Sequence, residues 1–169
     1  MTENEPSVAE TDTARKVESA GAAALQLANR SDEERSGALL AVADAIEARA
    51  EEVLEANERD VREAEAMLEA GEYSQVLVDR RKLTEAKLES IAEMVRSVAA
   101  QDDPLGKTLS ARRLDDGLEL YKVGVPIGVI ATVFESRPDA LVQIAALALK
   151  SGNAVILKGG SEASHSNRV

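Results

Sequence analysis

The chain of 169 residues has no cysteine and no tryptophan, and only 2% of its residues are aromatic. Without cysteine it can form no disulfide and supplies no thiolate nucleophile. No apolar run approaches the roughly 18 residues needed to span a bilayer. Residues 1–10 are polar and acidic, which argues against a signal peptide. We therefore expect a cytoplasmic protein with no membrane partner.

The charge is strongly of one sign, with 31 acidic against 20 basic residues and a net charge of -11. Such a surface is ill suited to nucleic acid and favours small molecules or further copies of the chain as partners. Lysines are few and the acids are spread along the sequence, a pattern typical of adaptation to high salt; the alternative is an ordinary acidic bacterial protein. The many alanines predict a core of small side chains.

The first 102 residues have helical patterns. Ser31 and Glu34 form a capping box, which predicts a helix start there. Apolar residues then recur at helical spacing, so the helix should continue to about residue 70, with or without a break. We expect further helices at residues 13–29 and 83–100. Residues 1–11 are expected to be a disordered tail, and residues 12–102 a helical part of one domain.

A β-hairpin is predicted next, in the segment 105–123. Two short strands, residues 110–114 and 118–122, flank Asp115-Asp116-Gly117, a turn with glycine where a positive φ is wanted.

The last quarter predicts one parallel β-α-β unit. Residues 129–134 form a short apolar run that we interpret as a buried strand, and residues 139–150 a covered helix ending at a left-handed Gly152 cap. Residues 154–157 give the second strand. Lys158 then lies at the carboxyl end of that strand, where open α/β sheets bind ligands, and the following Gly-Gly would let backbone approach a phosphate or ribose.

These residues alone predict a candidate nucleotide site and nothing sharper. Neither strand is followed by G-x-G-x-x-G, and no G-x-x-x-x-G-K-[ST] is present. A simple turn after the second strand is the alternative interpretation.

Several motifs give a more specific answer. They are P-I-G-V-I at 126–130, E-S-R-P at 135–138, L-K-S-G-N-A-V-I-L-K-G-G-S-E-A at 149–163, A-N-E-R-D at 56–60, D-R-R at 79–81 and D-P-L-G at 103–106. Together they resemble the glutamate-5-semialdehyde dehydrogenase family, also called the gamma-glutamyl phosphate reductases, of the aldehyde dehydrogenase superfamily. The resemblance runs from about residue 11 to 169.

The resemblance implies an α/β fold made of N-terminal helices, a β-hairpin and the first β-α-β unit of a Rossmann-like cofactor domain. Residues 124–169 would be the start of the NADP-binding part, so the cofactor domain would be truncated and the catalytic domain absent. It implies NADPH-dependent reduction of L-glutamate 5-phosphate to L-glutamate 5-semialdehyde and phosphate, in proline biosynthesis. A cysteine performs that chemistry in the family. Because this chain has none, we expect it to be inactive alone.

Residue roles follow from the same resemblance. Lys158 should contact the adenosine ribose and suits the 2'-phosphate of NADP, whereas the rest of the turn should shape the adenosine pocket: Gly159, Gly160, Ser161 and Glu162. Glu162 is ambiguous, since a carboxylate on the ribose favours NAD.

At the first strand's end, Ser136 occupies an oxyanion-donor position. Arg137 could pair with the acyl phosphate or substrate carboxylate, or form a structural ion pair. His165 is expected on the surface of the next helix with no role, and we assign no metal site.

The resemblance also implies that the hairpin, residues 107–122, reaches a neighbouring subunit of a homo-oligomer; the alternative is a hairpin folded onto its own domain. Two other functions stay open: another aldehyde dehydrogenase superfamily enzyme, or a non-catalytic helical interaction protein.

Overall fold

The computed structural model describes residues 8–135, 137–160 and 163–169. Its elements are six helices and four strands, followed by a 3-10 turn at Ser166–Arg168: α1 Val8–Leu27, α2 Asp32–Ala48, α3 Ala50–Glu69, α4 Gln75–Asp79, α5 Glu85–Ala99, β1 Thr108–Asp115, β2 Leu118–Val123, β3 Val129–Val133, α6 Pro138–Lys150 and β4 Ala154–Lys158. None of the helices in this part of the chain is long and apolar enough to cross a membrane.

The predicted capping box starts α2. Ser31 Oγ accepts a hydrogen bond from Glu34 N at 3.2 Å, and Ser31 N donates to Glu34 Oε2 at 2.8 Å. The helical segment breaks once, at Arg49, whose ψ of 19° separates α2 from α3. Helix α1 begins at Val8, inside the segment expected to be a disordered tail, so that boundary at residue 11 was too late; residues 1–7 lie outside the described residues.

The core lies between α2, α5 and α6. Its buried residues are mostly alanine and valine, with one leucine: Leu39, Ala43, Ala92, Val95, Val98, Ala99 and Ala146. Small side chains let helix backbones approach closely, and each larger one contributes about 1.5–3 kcal/mol by burial.

Lys150, at the end of α6, is buried in the same region. Its Nζ donates to Asp32 Oδ1 at 2.7 Å, Ser36 Oγ at 2.8 Å and Ala99 O at 3.1 Å, which joins all three helices.

The predicted hairpin is present as the antiparallel pair β1 and β2, closed where Asp115 pairs with Leu118. Gly117 has φ of 78°, as the turn requires. Every residue of both strands is exposed. At the base, Gly106 N donates to Gly124 O at 2.9 Å, and Gly124 N donates to Lys107 O at 3.1 Å.

Strands β3 and β4 pair in parallel across α6, as predicted, with Val129 opposite Ala154 and Val133 opposite Lys158. Gly152 ends α6 with φ of 70°. The next residue, Asn153, fixes the start of β3, because its Oδ1 accepts from the backbone N–H groups of Ile127 at 2.6 Å and Gly128 at 2.8 Å.

The prediction of a buried first strand was wrong for this chain, since Val133 of β3 is 81% exposed. The reason is that β3 has β4 as its one strand partner among the described residues, so its other edge and much of its surface meet solvent. The prediction of a covered helix is confirmed for most of α6, in which only Gln143 and Leu147 are exposed.

Candidate functional site

The candidate site lies at the carboxyl edge of the parallel pair. Lys158 is the last residue of β4, and its carbonyl accepts from Phe134 N at 3.1 Å, so both strands end together. Lys158 Nζ donates to Gly159 O at 2.8 Å. The side chain is exposed and has no carboxylate partner within the described part of the chain. Its charge is therefore available to a ligand at this edge.

The glycine after Lys158 is closely packed. A Cβ at Gly159 would lie 3.1 Å from Asn167 Nδ2 and 3.2 Å from Phe134 Cζ, tighter than ordinary contact. A bare backbone at this position is what an approaching ribose or phosphate also needs. Gly160 lines a small cavity beside the turn. Ser136, Ser161 and Glu162 lie outside the described residues, and their expected roles stay predictions.

Arg137 precedes α6 and forms the ion pair that was one of its two predicted interpretations. Its Nη2 lies 2.6 Å and its Nε 3.3 Å from the two carboxylate oxygens of Asp139. The hydrogen bond to Asp139 raises the pKa of the Arg137 guanidinium above its ordinary value. Arg137 also lines a cavity of about 520 Å³ between α4, α5 and the start of α6, so the ion pair leaves it facing open space.

Sequence reasoning missed the residues that hold the end of the chain. Asp60 on α3 is fully buried and accepts from His165 N at 3.0 Å, Ser166 N at 2.8 Å and Ser166 Oγ at 2.5 Å. Asn57, one turn earlier, donates to Ser166 Oγ at 3.1 Å and to Arg81 O at 2.9 Å. Asn57 and Asp60 share one helix face, but the local sequence does not distinguish that face from the exposed ones, because α3 carries polar residues all round.

His165 was expected on a helix surface; it immediately precedes the 3-10 turn and contacts α3. Its Nε2 lies 3.1 Å from Glu63 Oε1, and the side chain is 39% exposed. Asp60, Glu63 and His165 are close enough to hold a cation. Both Asp60 oxygens, however, already accept N–H or O–H donors, so this carboxylate caps the turn and we assign it no metal.

Two relatives match nearly the whole chain. A gamma-glutamyl phosphate reductase of Natronomonas pharaonis is 76% identical over 157 residues, 93% of this chain, and one of Haloquadratum walsbyi is 68% identical over 154 residues, 91% of it. This chain belongs to the gamma-glutamyl phosphate reductase family. It spans 36% and 34% of the length of these two relatives. No protein-family model matches the chain.

Solved structures agree with the family and the fold. The gamma-glutamyl phosphate reductase of Saccharomyces cerevisiae superposes with a TM-score of 0.86 at 38% identity, covering 96% of this chain and 39% of that one. The Thermotoga maritima enzyme gives 0.83 at 35% identity, with coverages of 92% and 36%. A probable aldehyde dehydrogenase of Listeria monocytogenes, 17% identical, gives 0.63 over 93% of this chain and 31% of that chain, which shows the fold alone. The predicted α/β class, part of an aldehyde dehydrogenase fold, is confirmed.

Proposed function

We propose that this chain is part of an enzyme that uses NADPH to reduce L-glutamate 5-phosphate to L-glutamate 5-semialdehyde and phosphate, a step of proline biosynthesis. The observation that carries the proposal is the 76% identity to a gamma-glutamyl phosphate reductase over 93% of the chain. The carboxyl edge of β3 and β4 supports it, because that edge is where open α/β sheets bind their ligands.

The turn after β4 is proposed to hold the adenosine end of NADP. Lys158 places an exposed ammonium at the strand end, and this cation suits both ribose hydroxyls and a 2'-phosphate. The missing side chain at Gly159 lets the turn pack closely on Phe134 and Asn167, which fixes the backbone that would face the cofactor. The remaining members of this proposed pocket are Gly160, Ser161 and Glu162. The bound nicotinamide would supply the hydride.

The reacting end is proposed to lie near the E-S-R-P loop. The Ser136 hydroxyl would donate to the oxyanion of the acyl group, and Arg137 would pair with an anionic group of the substrate. Arg137 would then exchange part of its contact with Asp139 for the ligand. The thiolate that forms the thioester must come from outside these 169 residues, since they contain no cysteine.

We also propose a cytoplasmic homo-oligomer joined through the hairpin. Both strands are exposed along their whole length, and large apolar side chains point into solvent from each of them: Leu109, Leu114, Leu118, Leu120, Tyr121 and Val123. An isolated two-stranded hairpin is marginal in water, so a partner surface would stabilise it. The net charge of -11 is consistent with adaptation to high salt.

The test is a hybrid in which this chain replaces the matching residues of the Natronomonas pharaonis relative. Incubated with glutamate 5-semialdehyde, phosphate and NADP, the hybrid should form NADPH, whereas the 169-residue chain should not. Lys158→Ala in the hybrid should raise the Michaelis constant for NADP about tenfold, because a charge-assisted contact is lost. Lys82→Ala, which removes an exposed lysine paired with Glu65, is the control. A folded but inactive hybrid would refute the proposed function.

A further inference from the structure

Two neighbouring cavities share one wall. The larger, about 520 Å³, and the smaller, about 240 Å³, have two lining residues in common, Arg80 and Arg137. Arg80 follows the short helix α4, and Arg137 precedes α6. Two guanidinium groups from segments distant in sequence therefore meet at the same opening, next to the loop that follows β3.

The smaller cavity concentrates positive charge. Three arginines line it, Arg80, Arg81 and Arg137, against the single acidic residue Glu135 among its described lining residues. Across the whole chain the balance is reversed, with 31 acidic residues and 20 basic ones. A cationic concavity on a negative protein attracts small anions to that place.

Arg80 is held loosely. Its contact with Glu135 is 3.6 Å long, and the two side chains are 54% and 77% exposed. An exposed ion pair of this kind contributes little, so an incoming anion can displace it at small cost. Arg137 is held more firmly by Asp139, but its fork of donors can serve two acceptors at once.

Arg81, the third arginine, is buried, and its hydrogen-bond donors are only partly paired by the described residues. The residue is 4% exposed, and its two terminal nitrogens donate to Leu77 O at 3.0 Å and Tyr73 Oη at 3.3 Å. Its guanidinium carbon lies 4.7 Å from the centre of the Tyr73 ring. Within the described residues, the buried Nε has no hydrogen-bond partner. Buried donors are almost always paired, so Arg81 is incompletely satisfied by the described residues beside the cavity that it lines.

We propose that Arg80, Arg81 and Arg137 form a phosphate-binding site in the smaller cavity, beside Gly160. Guanidinium groups bind phosphate oxygens through paired, charge-assisted hydrogen bonds, and three of them beside Glu135 leave two positive charges for a dianion. The physiological ligand rests on the proposed function, which offers two phosphates with this chemistry. One is the acyl phosphate that is displaced from the substrate, and the other is the 2'-phosphate of the cofactor.

The test uses the 169-residue chain and inorganic phosphate, titrated by calorimetry at one fixed ionic strength. Arg80→Gln and Arg137→Gln should each weaken phosphate binding by about tenfold, since each removes a charge-assisted contact. Arg62→Gln is the matched control: it makes the same charge change in an exposed pair, with Glu58 at 4.0 Å, away from the cavity. It should change the binding less than about twofold.

The site is refuted if the parent chain binds no phosphate, or if the control weakens binding as much as the two cavity variants. Circular dichroism of all variants must match the parent, so that a loss of binding is not a loss of folding. The hybrid enzyme tests the other proposal separately. If the hybrid binds phosphate but is inactive, the proposed reaction is refuted and the phosphate site stands. If the hybrid is active but the arginine variants bind phosphate as the parent does, the site is refuted and the proposed reaction stands.

Titration with NADPH and NADH identifies the source of the phosphate. If the site holds the substrate's phosphate, NADPH and inorganic phosphate bind together and the variants keep their preference for NADPH. If it holds the 2'-phosphate, NADPH displaces inorganic phosphate and Arg80→Gln binds both dinucleotides equally. Either result requires the arginine site.

Discussion

Replacing Asp60 with asparagine should loosen the segment that follows the candidate cofactor turn. Asparagine has almost the same shape, so packing is preserved while the charge and the hydrogen bonding change. Oδ1 can still accept from His165 N, but Nδ2 would face Ser166 N, a donor against a donor. The hydroxyl of Ser166 would also lose a charged acceptor at 2.5 Å.

The expected cost can be worked out from these contacts. Hydrogen bonds to a charged group contribute about 1.5–3 kcal/mol each, and a buried donor left without an acceptor costs about 1–3 kcal/mol. One lost backbone contact, with the hydroxyl partly re-paired, gives a loss of about 2–4 kcal/mol in the free energy of unfolding. That is a large part of the 5–15 kcal/mol typical of a domain, so it should be easy to measure.

The assay is urea unfolding at fixed salt, with Glu63→Gln as the control. This control makes the same charge change one turn along α3, on an exposed carboxylate that contacts only the ring of His165 in the described structure. It should cost less than about 1 kcal/mol. If Asp60→Asn costs no more than Glu63→Gln, the buried carboxylate does not hold the segment and the reasoning is wrong.

Three further predictions concern the frame of the site. Gly152→Ala should destabilise the chain in urea unfolding by about 1–3 kcal/mol more than Gly117→Ala. Both glycines have a positive φ, but only at Gly152 would the new Cβ lie 2.7 Å from a methyl group of Leu105. Equal losses of stability in the two variants would contradict this reasoning. The hydrogen bond from Arg96 lowers the pKa of Glu47 below its ordinary 4.5 in the folded chain. The ion pair therefore stabilises the fold fully above pH 4.5, and this stabilisation is lost as the pH falls through the lowered pKa of the folded state. In Arg96→Met the urea midpoint should consequently fall less between about pH 6 and pH 3 than it does in the parent. Lys150→Met should cost about 1–3 kcal/mol because three acceptors lose their donor, and a stability equal to the parent would show that packing compensates.

The parts of the fold that sequence reasoning predicted are those with local causes. The capping box needs only Ser31 and Glu34, the hairpin only its turn residues, and the β-α-β unit only two apolar runs around one helix. Each is decided within a few neighbouring residues, so its signal is visible in the sequence itself. The carboxyl-edge position of Lys158 followed from the order of these elements.

What sequence reasoning missed depends on partners far along the chain. Asp60 contacts residues more than 100 positions later, and Lys150 reaches Asp32 across a similar separation. Nothing near either residue indicates that it is buried. The error over the exposure of β3 has the same origin, because whether a strand is covered depends on which strands stand beside it, and β4 is its one described partner.

Among the described residues, the edge of β3 away from β4 has no strand partner, and this edge gives salt two opposing effects on the chain in solution. Cations screen the repulsion within a molecule of net charge -11 and so favour its compact state. The same screening lets two molecules approach, and a bare strand edge carrying exposed valines is a template for sheet pairing and aggregation. Expressed alone, the chain should therefore stay dispersed only within a window of ionic strength, between unfolding at low salt and precipitation at high salt.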